Sequence, residues 1–206
     1  MNRPTIDEIV TASSDSAGTW HLYADHVESW AWQQDIFTKD ELDEIIRIGE
    51  AIKLDQSKLL NPYGDDKIRN SRSRFIFPNQ VTGWIFARLT DSAITINDKY
   101  FKFDLRSFDQ GLQFTKYSAP DQHYDWHVDR AHQRPTRKLS LSLQLSDPST
   151  YDGGDLQLKF NHDEITVQRT RGVATFFPSY TLHRVTPVTR GTRYSLVAWI
   201  SGPPFK

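Results

Sequence analysis

Tyr117 to Asp129 reads YSAPDQHYDWHVD, and the fold is read outward from its second half. There Tyr124, Trp126 and Val128 surround an H-x-D pair, His127 and Asp129. Aromatic and β-branched neighbours favour an extended strand. Residues two apart on a strand share a face, roughly 6–7 Å apart along the chain. An imidazole and a carboxylate so placed can both reach one metal ion. The pair alone is a weak signal, because such pairs arise by chance in solvated strands and turns. A third ligand is needed, and His183 offers it.

His183 lies in Pro178 to Ile200, PSYTLHRVTPVTRGTRYSLVAWI. Two apolar runs flank Pro187-Val188-Thr189-Arg190-Gly191, which reads as the turn of a hairpin. Centred near Thr189, that turn pairs Val185 with Arg193 and His183 with Ser195, so that His183 and Arg193 become diagonal neighbours on one face. Two histidines and one carboxylate on one side of a metal, with other positions open, form the facial set of non-haem Fe(II) sites. A zinc hydrolase can use similar ligands, but has no evident need for an arginine ten residues beyond the last histidine. Arg193 suits a bidentate hold on a carboxylate.

This order of H-x-D, distal histidine and arginine resembles the 2-oxoglutarate-dependent Fe(II) dioxygenases, most closely the prolyl-hydroxylase branch and its PKHD-type members. The matching residues are Tyr117, His127, Asp129, Gly153-Gly154, Pro178, His183, Val185-Thr186-Pro187-Val188, Gly191, Arg193 and Trp199, within 113–200. The resemblance implies that His127, Asp129 and His183 are the metal ligands and the catalytic set, holding Fe(II). It implies 2-oxoglutarate as co-substrate, with Arg193 fixing the 5-carboxylate and Tyr117 in contact with it. Ser142 or Gln144 would hydrogen-bond the far carboxylate, and Trp199, on the Arg193 face by parity, would wall the pocket. Ascorbate is left open as a further cofactor. The implied reaction uses O2, hydroxylates a C–H bond and releases succinate and CO2. The expected substrate is a prolyl residue of a peptide or protein. Two alternatives are hydroxylation of a free amino acid or small metabolite, and a barrel that binds metal only to sense a ligand. Two departures bear on substrate preference: Ala119-Pro120-Asp121 replaces a glycine-containing turn, and Arg130 follows Asp129.

The chain as a whole fits a catalytic domain. At 206 residues it is long enough for one domain and one sizeable core. A net charge of −1 gives no electrostatic footprint for nucleic acid. The absence of cysteine excludes disulfides, cysteine zinc sites and cysteine nucleophiles. No basic-then-apolar leader opens the chain and no run reaches the ~18 apolar residues of a span, so the expectation is a soluble, intracellular, cytoplasmic protein without a membrane partner.

The expected fold is mainly β with supporting helices: a double-stranded β-helix (a cupin-like jelly roll) over 101–206, preceded over 1–100 by an arm, first strands and helices packed on the core. A first strand is expected in His21 to Trp32. Thr38 is read as the N-cap of a helix from Lys39, with Glu41 completing a capping box. A second helix is expected over Thr82 to Asn97, with Trp84, Ile85, Leu89, Ala93 and Ile94 as its stripe. The polar stretch 61–74 reads as a loop, either a plain connection or a segment that closes over substrate, and a strand over Ser73–Phe77 follows until Pro78-Asn79 breaks it. Candidate strands are Lys102–Arg106, Leu112–Tyr117, His123–Val128, Leu139–Leu145, Asp155–Phe160, Glu164–Gln168, Val173–Phe177, His183–Val185 and Thr192–Ile200. In the strand from Lys138, the leucines 139, 141, 143 and 145 alternate with Ser140, Ser142 and Gln144, the pattern of a half-exposed sheet or of a strand whose polar face lines the barrel. His21, His26, His123, His132 and His162 match no ligand position, and Asp152-Gly153-Gly154-Asp155 reads as a turn in place of a calcium loop.

Overall fold

The computed structural model describes residues 27–52, 68–130, 132 and 134–205. The expected strand at His21 begins outside this range; its described part is β1, Ala31–Gln33. Helix α1 follows at Lys39–Ala51. Its start is fixed reciprocally, because Thr38 Oγ1 accepts the Glu41 N–H at 3.2 Å while Glu41 Oε2 accepts the Thr38 N–H at 2.8 Å. Leu42, Ile45 and Ile48 bury the inner face. Gly49 completes it for a steric reason, since a Cβ there would lie 2.4 Å from the Phe114 ring.

Of the stretch read as a loop, 61–67 falls outside the described residues. The remainder forms the short strand β2 (Arg69–Asn70) and the start of β3 (Arg72–Ile76), which is the strand read from sequence over Ser73–Phe77. Helix α2 spans Gly83–Ile96. Its buried stripe is Ile85, Leu89, Ala93 and Ile96, whereas Ile94, assigned to the stripe from sequence, is 54% exposed. The strand expected at Lys102–Arg106 does not form. A π-turn over Asn97–Phe101 continues the helix instead. The Asn97 side chain then donates to the Phe103 carbonyl and accepts its N–H, taking the two bonds that a strand partner would have supplied.

The remaining strands are β4 (Ser107–Phe108), β5 (Leu112–Ser118), β6 (His123–His127), β7 (Arg137–Gln144), β8 (Tyr151–Gly153), β9 (Leu156–Phe160), β10 (Asp163–Thr166), β11 (Ala174–Pro178), β12 (Leu182–Val185) and β13 (Val188–Ser201). They form a major sheet in the order β1-β11-β7-β13-β5-β3, with β4 and β8 also on β13, and a minor sheet in the order β10-β9-β12-β6-β2. This is the expected double-stranded β-helix. Among the described residues no helix is long and apolar enough to cross a membrane.

Two expectations change here. β7 is not half-exposed: all eight of its residues are buried. Leu139, Leu141 and Leu143 enter the main core with Ile45, Ile85 and Leu89 of the helices. Ser140, Ser142 and Gln144 face the space between the sheets, where hydroxyl and amide groups have polar work to do. Each buried leucine contributes about 1.5–3 kcal/mol relative to exposure, so the helices are held chiefly by this apolar face.

Nor are β12 and β13 a hairpin. β12 pairs with β6 and β9, and β13 with β5 and β7. Pro187 has no N–H to give a ladder, and its neighbours bond elsewhere: the Thr186 N–H to the Asp155 carbonyl and the Val188 N–H to that of Gln122. The chain therefore crosses between sheets at Pro187. Gly191, read as a turn residue, is a close approach within β13: at φ +71° it faces Tyr151, and a Cβ would sit 2.1 Å from the Thr150 carbonyl oxygen. His183 and Arg193 consequently lie on different sheets.

Candidate metal centre and adjoining pocket

The strand pairing that replaced the hairpin brings the histidines together. His127 ends β6 directly opposite His183 on β12, with ring centroids 4.1 Å apart. Asp129 follows just beyond the strand end and is buried. Its Oδ1 lies 3.8 Å from His127 Nε2 and its Oδ2 3.5 Å from His183 Nε2. One donor atom from each of the three residues falls within 4.8 Å of the others, the only such group among the described residues.

The tautomers suit a cation. His127 Nδ1 lies 2.8 Å from the Asp125 carbonyl oxygen, and His183 Nδ1 lies 2.9 Å from that of Thr181. A carbonyl only accepts, so both Nδ1 atoms carry hydrogen and both Nε2 lone pairs face the gap. Burial, reinforced by the neighbouring His183, pushes the His127 pKa down to about 3, which keeps the ring neutral and able to ligate. For Asp129 burial acts upward, but the two imidazoles and the hydrogen bond from Ser140 outweigh it and hold the carboxyl below its ordinary value. Ser140 Oγ donates to Asp129 Oδ2 at 2.6 Å and lies 2.9 Å from Ser179 Oγ. The Trp199 indole N–H is buried without a well-formed hydrogen bond and lies near the same carboxylate. Two neutral imidazoles and one ionised carboxylate are a fitting donor set for a divalent transition metal.

Arg193 stands across the barrel on β13, 3% exposed. Its one side-chain hydrogen bond is to Ser195 Oγ at 3.4 Å, and among the described residues no carboxylate pairs with it. An isolated buried charge costs several kcal/mol. A guanidinium left so is therefore fitted to an anionic ligand. Tyr117 is buried with its ring 5.6 Å from the guanidinium carbon, and burial raises its pKa, so it remains a neutral phenol. Arg193, Ser142 and Gln144 line one narrow cavity of about 10 Å³.

The structure thus brings His127, Asp129 and His183 together, sets Trp199 beside their carboxylate, and gathers Arg193, Ser142 and Gln144 about one cavity, with the Tyr117 ring 5.6 Å from the Arg193 guanidinium. Sequence reasoning missed Tyr151, fully buried on that cavity, and the Ser140–Ser179 link to Asp129. It also missed Tyr124, whose ring stacks on His127 at 3.5 Å and 13°. Strict alternation puts residues 124 and 127 on opposite faces. The irregular register between His183 and Val185 turns them together.

Residues 112–201 match the model of the 2OG-Fe(II) oxygenase superfamily. That match covers a little under half of the chain, which is similar to that superfamily over this stretch. It is 32% identical over 139 residues to a PKHD-type hydroxylase of Synechococcus sp. (strain CC9605), covering 66% of this chain and 62% of the relative. It is 40% identical over 91 residues to one from Sphingopyxis alaskensis, covering 42% and 41%. The matched segment therefore spans less than two thirds of either relative. Among solved structures, a Pseudomonas putida prolyl-4-hydroxylase superposes with a TM-score of 0.68 at 23% identity, covering 85% of this chain and 93% of that one. A Trichoplax adhaerens prolyl hydroxylase, in complex with a hypoxia inducible factor oxygen degradation domain peptide fragment, gives 0.70 at 13% identity, covering 84% and 83%. At these identities the likeness is one of fold. The superfamily's own metal and co-substrate are Fe(II) and 2-oxoglutarate, which accords with the donor set and the unpaired guanidinium.

Proposed function

We propose that this chain is a 2-oxoglutarate- and Fe(II)-dependent hydroxylase, and that its substrate is a prolyl residue of a peptide or protein. One observation carries the catalytic reading: three ligand side chains converge in a barrel that also buries an arginine with no counter-ion among the described residues. His127, Asp129 and His183 would hold Fe(II), and Arg193 would hold the distal carboxylate of 2-oxoglutarate. When bound, the metal and the 2-oxo acid supply the oxidising chemistry with O2, giving succinate, CO2 and a hydroxylated product.

The remaining work belongs to the protein's own side chains. The backbone carbonyls of Asp125 and Thr181 orient the two imidazoles. Ser140 holds one carboxylate oxygen of Asp129, so that the other is free to turn to the ion. Arg193 sets the direction in which the co-substrate enters, and Tyr117, Phe177 and Trp199 keep the interior apolar enough to exclude bulk water. None of these groups needs to act as a general base. The prolyl assignment is supported by the PKHD-type relatives and by the peptide-bound neighbour of the same fold.

The test is succinate formation from 2-oxoglutarate with Fe(II), comparing wild type with His127→Ala and Arg193→Ala. Wild-type turnover lost in both variants is expected. Metal-independent turnover, or full activity in both variants, refutes the reading. Mass spectrometry of proline-rich peptides for the gain of one oxygen then separates a peptide substrate from a small metabolite.

A further inference from the structure

The strand β6 ends at His127, two residues short of Asp129, so the sheet places one member of the H-x-D pair and not the other. Ser140 fixes an oxygen of the Asp129 carboxylate. A carboxylate is only as well placed as the main chain that carries it, and here the main chain is held at two points. The Arg130 N–H donates to the Ser179 carbonyl at 2.7 Å. Arg137 Nη1 lies 3.4 Å from the Asp129 carbonyl oxygen.

Arg137 opens β7 and is buried. Its Nε donates to Asp109 Oδ2 at 2.9 Å, and the two side chains are only 8% and 14% exposed. Asp109 is tied in turn: Ser201 Oγ donates to its Oδ1 at 3.2 Å, and its N–H donates to the Trp199 carbonyl at 2.8 Å. The guanidinium carbon stands 4.0 Å over the Trp199 ring, whose indole lies near the Asp129 carboxylate. One planar cation therefore joins the Asp129 carbonyl, the ring near its carboxylate, and a buried counter-ion between β4 and β5. An ion pair so buried is a poor source of stability, because desolvation offsets much of its attraction and an apolar pair of similar volume holds a fold as well. What an apolar pair lacks is a rigid fork that aims two N–H groups while its face lies on an indole. The 3.4 Å contact is long for a hydrogen bond, so stack, ion pair and carbonyl act together.

We infer that Arg137 is a positioning residue for the metal centre: seated on Trp199 and anchored by Asp109, it sets where Asp129 stands when the ion binds. This rests on the reading of His127, Asp129 and His183 as metal ligands. Arg137 acts through Asp129 and gives the ion no donor of its own, since a guanidinium has no acceptor atom.

The experiment is a Co(II) titration read by the visible spectrum of the bound ion, with the Tm of the metal-free protein measured beside it. Wild type is compared with Arg137→Lys and with the double variant Arg137→Met/Asp109→Leu. Lysine keeps the charge opposite Asp109 but has neither the fork nor the plane. The double variant removes the ion pair without stranding either charge, so it should melt near the wild-type temperature. Both should bind Co(II) about tenfold more weakly, the lower end for groups that orient a ligand, with a changed spectrum. Wild-type affinity and spectrum in either folded variant overturn the proposal. So does a double variant that fails to fold, because the pair then serves the fold and not the ligand. If wild type binds no Co(II), the metal reading itself fails and takes this one with it.

Discussion

The two ends of the barrel interior are built on opposite rules. At the metal end every orienting group is already engaged: both Nδ1 atoms bond backbone carbonyls, and one Asp129 oxygen is held by Ser140. At the distal end the strongest donor is left over, since among the described residues no carboxylate pairs with Arg193. The first arrangement fixes ligand geometry before the ion arrives. The second stores binding strength for a group that the protein does not itself provide.

The largest effect expected from this contrast is at Asp129. Asp129→Ala removes a ligand and leaves two imidazoles, so metal affinity should fall by more than the ~100-fold upper range seen for outer-shell changes. In wild type, metal at 100 times its Kd should stabilise the fold by about 2.7 kcal/mol, read as a rise in Tm, and Asp129→Ala should show no such rise. Next comes Arg193→Ala, which should weaken 2-oxoglutarate binding about 100-fold while leaving metal affinity near wild type. If Arg193→Ala abolished metal binding as well, the two ends would not be independent and the contrast would break.

A smaller effect sharpens the metal end. Ser140→Ala should cost about tenfold in Co(II) affinity and alter the visible spectrum of the bound ion, because Asp129 Oδ2 loses its 2.6 Å donor. An unchanged spectrum would show that the serine only fills space. The smallest effect is expected for Trp199→Phe, within about threefold in metal affinity, since the indole N–H makes no well-formed hydrogen bond to lose.

Local chemistry was readable and cross-barrel chemistry was not. The H-x-D pair is legible because two residues of one strand fix their own relation. The capping box at Thr38 and Glu41 is local in the same way. His183 and Arg193 were singled out in the Pro178 to Ile200 stretch, yet the hairpin that joined them is wrong: Pro187 diverts the chain to the other sheet, and nothing near it in sequence says which strand waits there. The alternation of Leu and Ser in β7 marked a strand, but not that helices cover one face and a second sheet the other. Tyr151 gave no signal, because its meaning depends on Gln144, Gly154 and Arg193, which share a cavity only after both sheets close. Lys102–Arg106 looked like a strand for want of any sign that Asn97 would tie Phe103 down.

The most direct test of the central claim is a crystal soaked without oxygen in Fe(II) and 2-oxoglutarate. The account expects one ion bound by His127 Nε2, Asp129 and His183 Nε2, with the diacid reaching from that ion to the Arg193 guanidinium. An ion bound elsewhere, or a diacid whose far carboxylate lies away from Arg193, would contradict it.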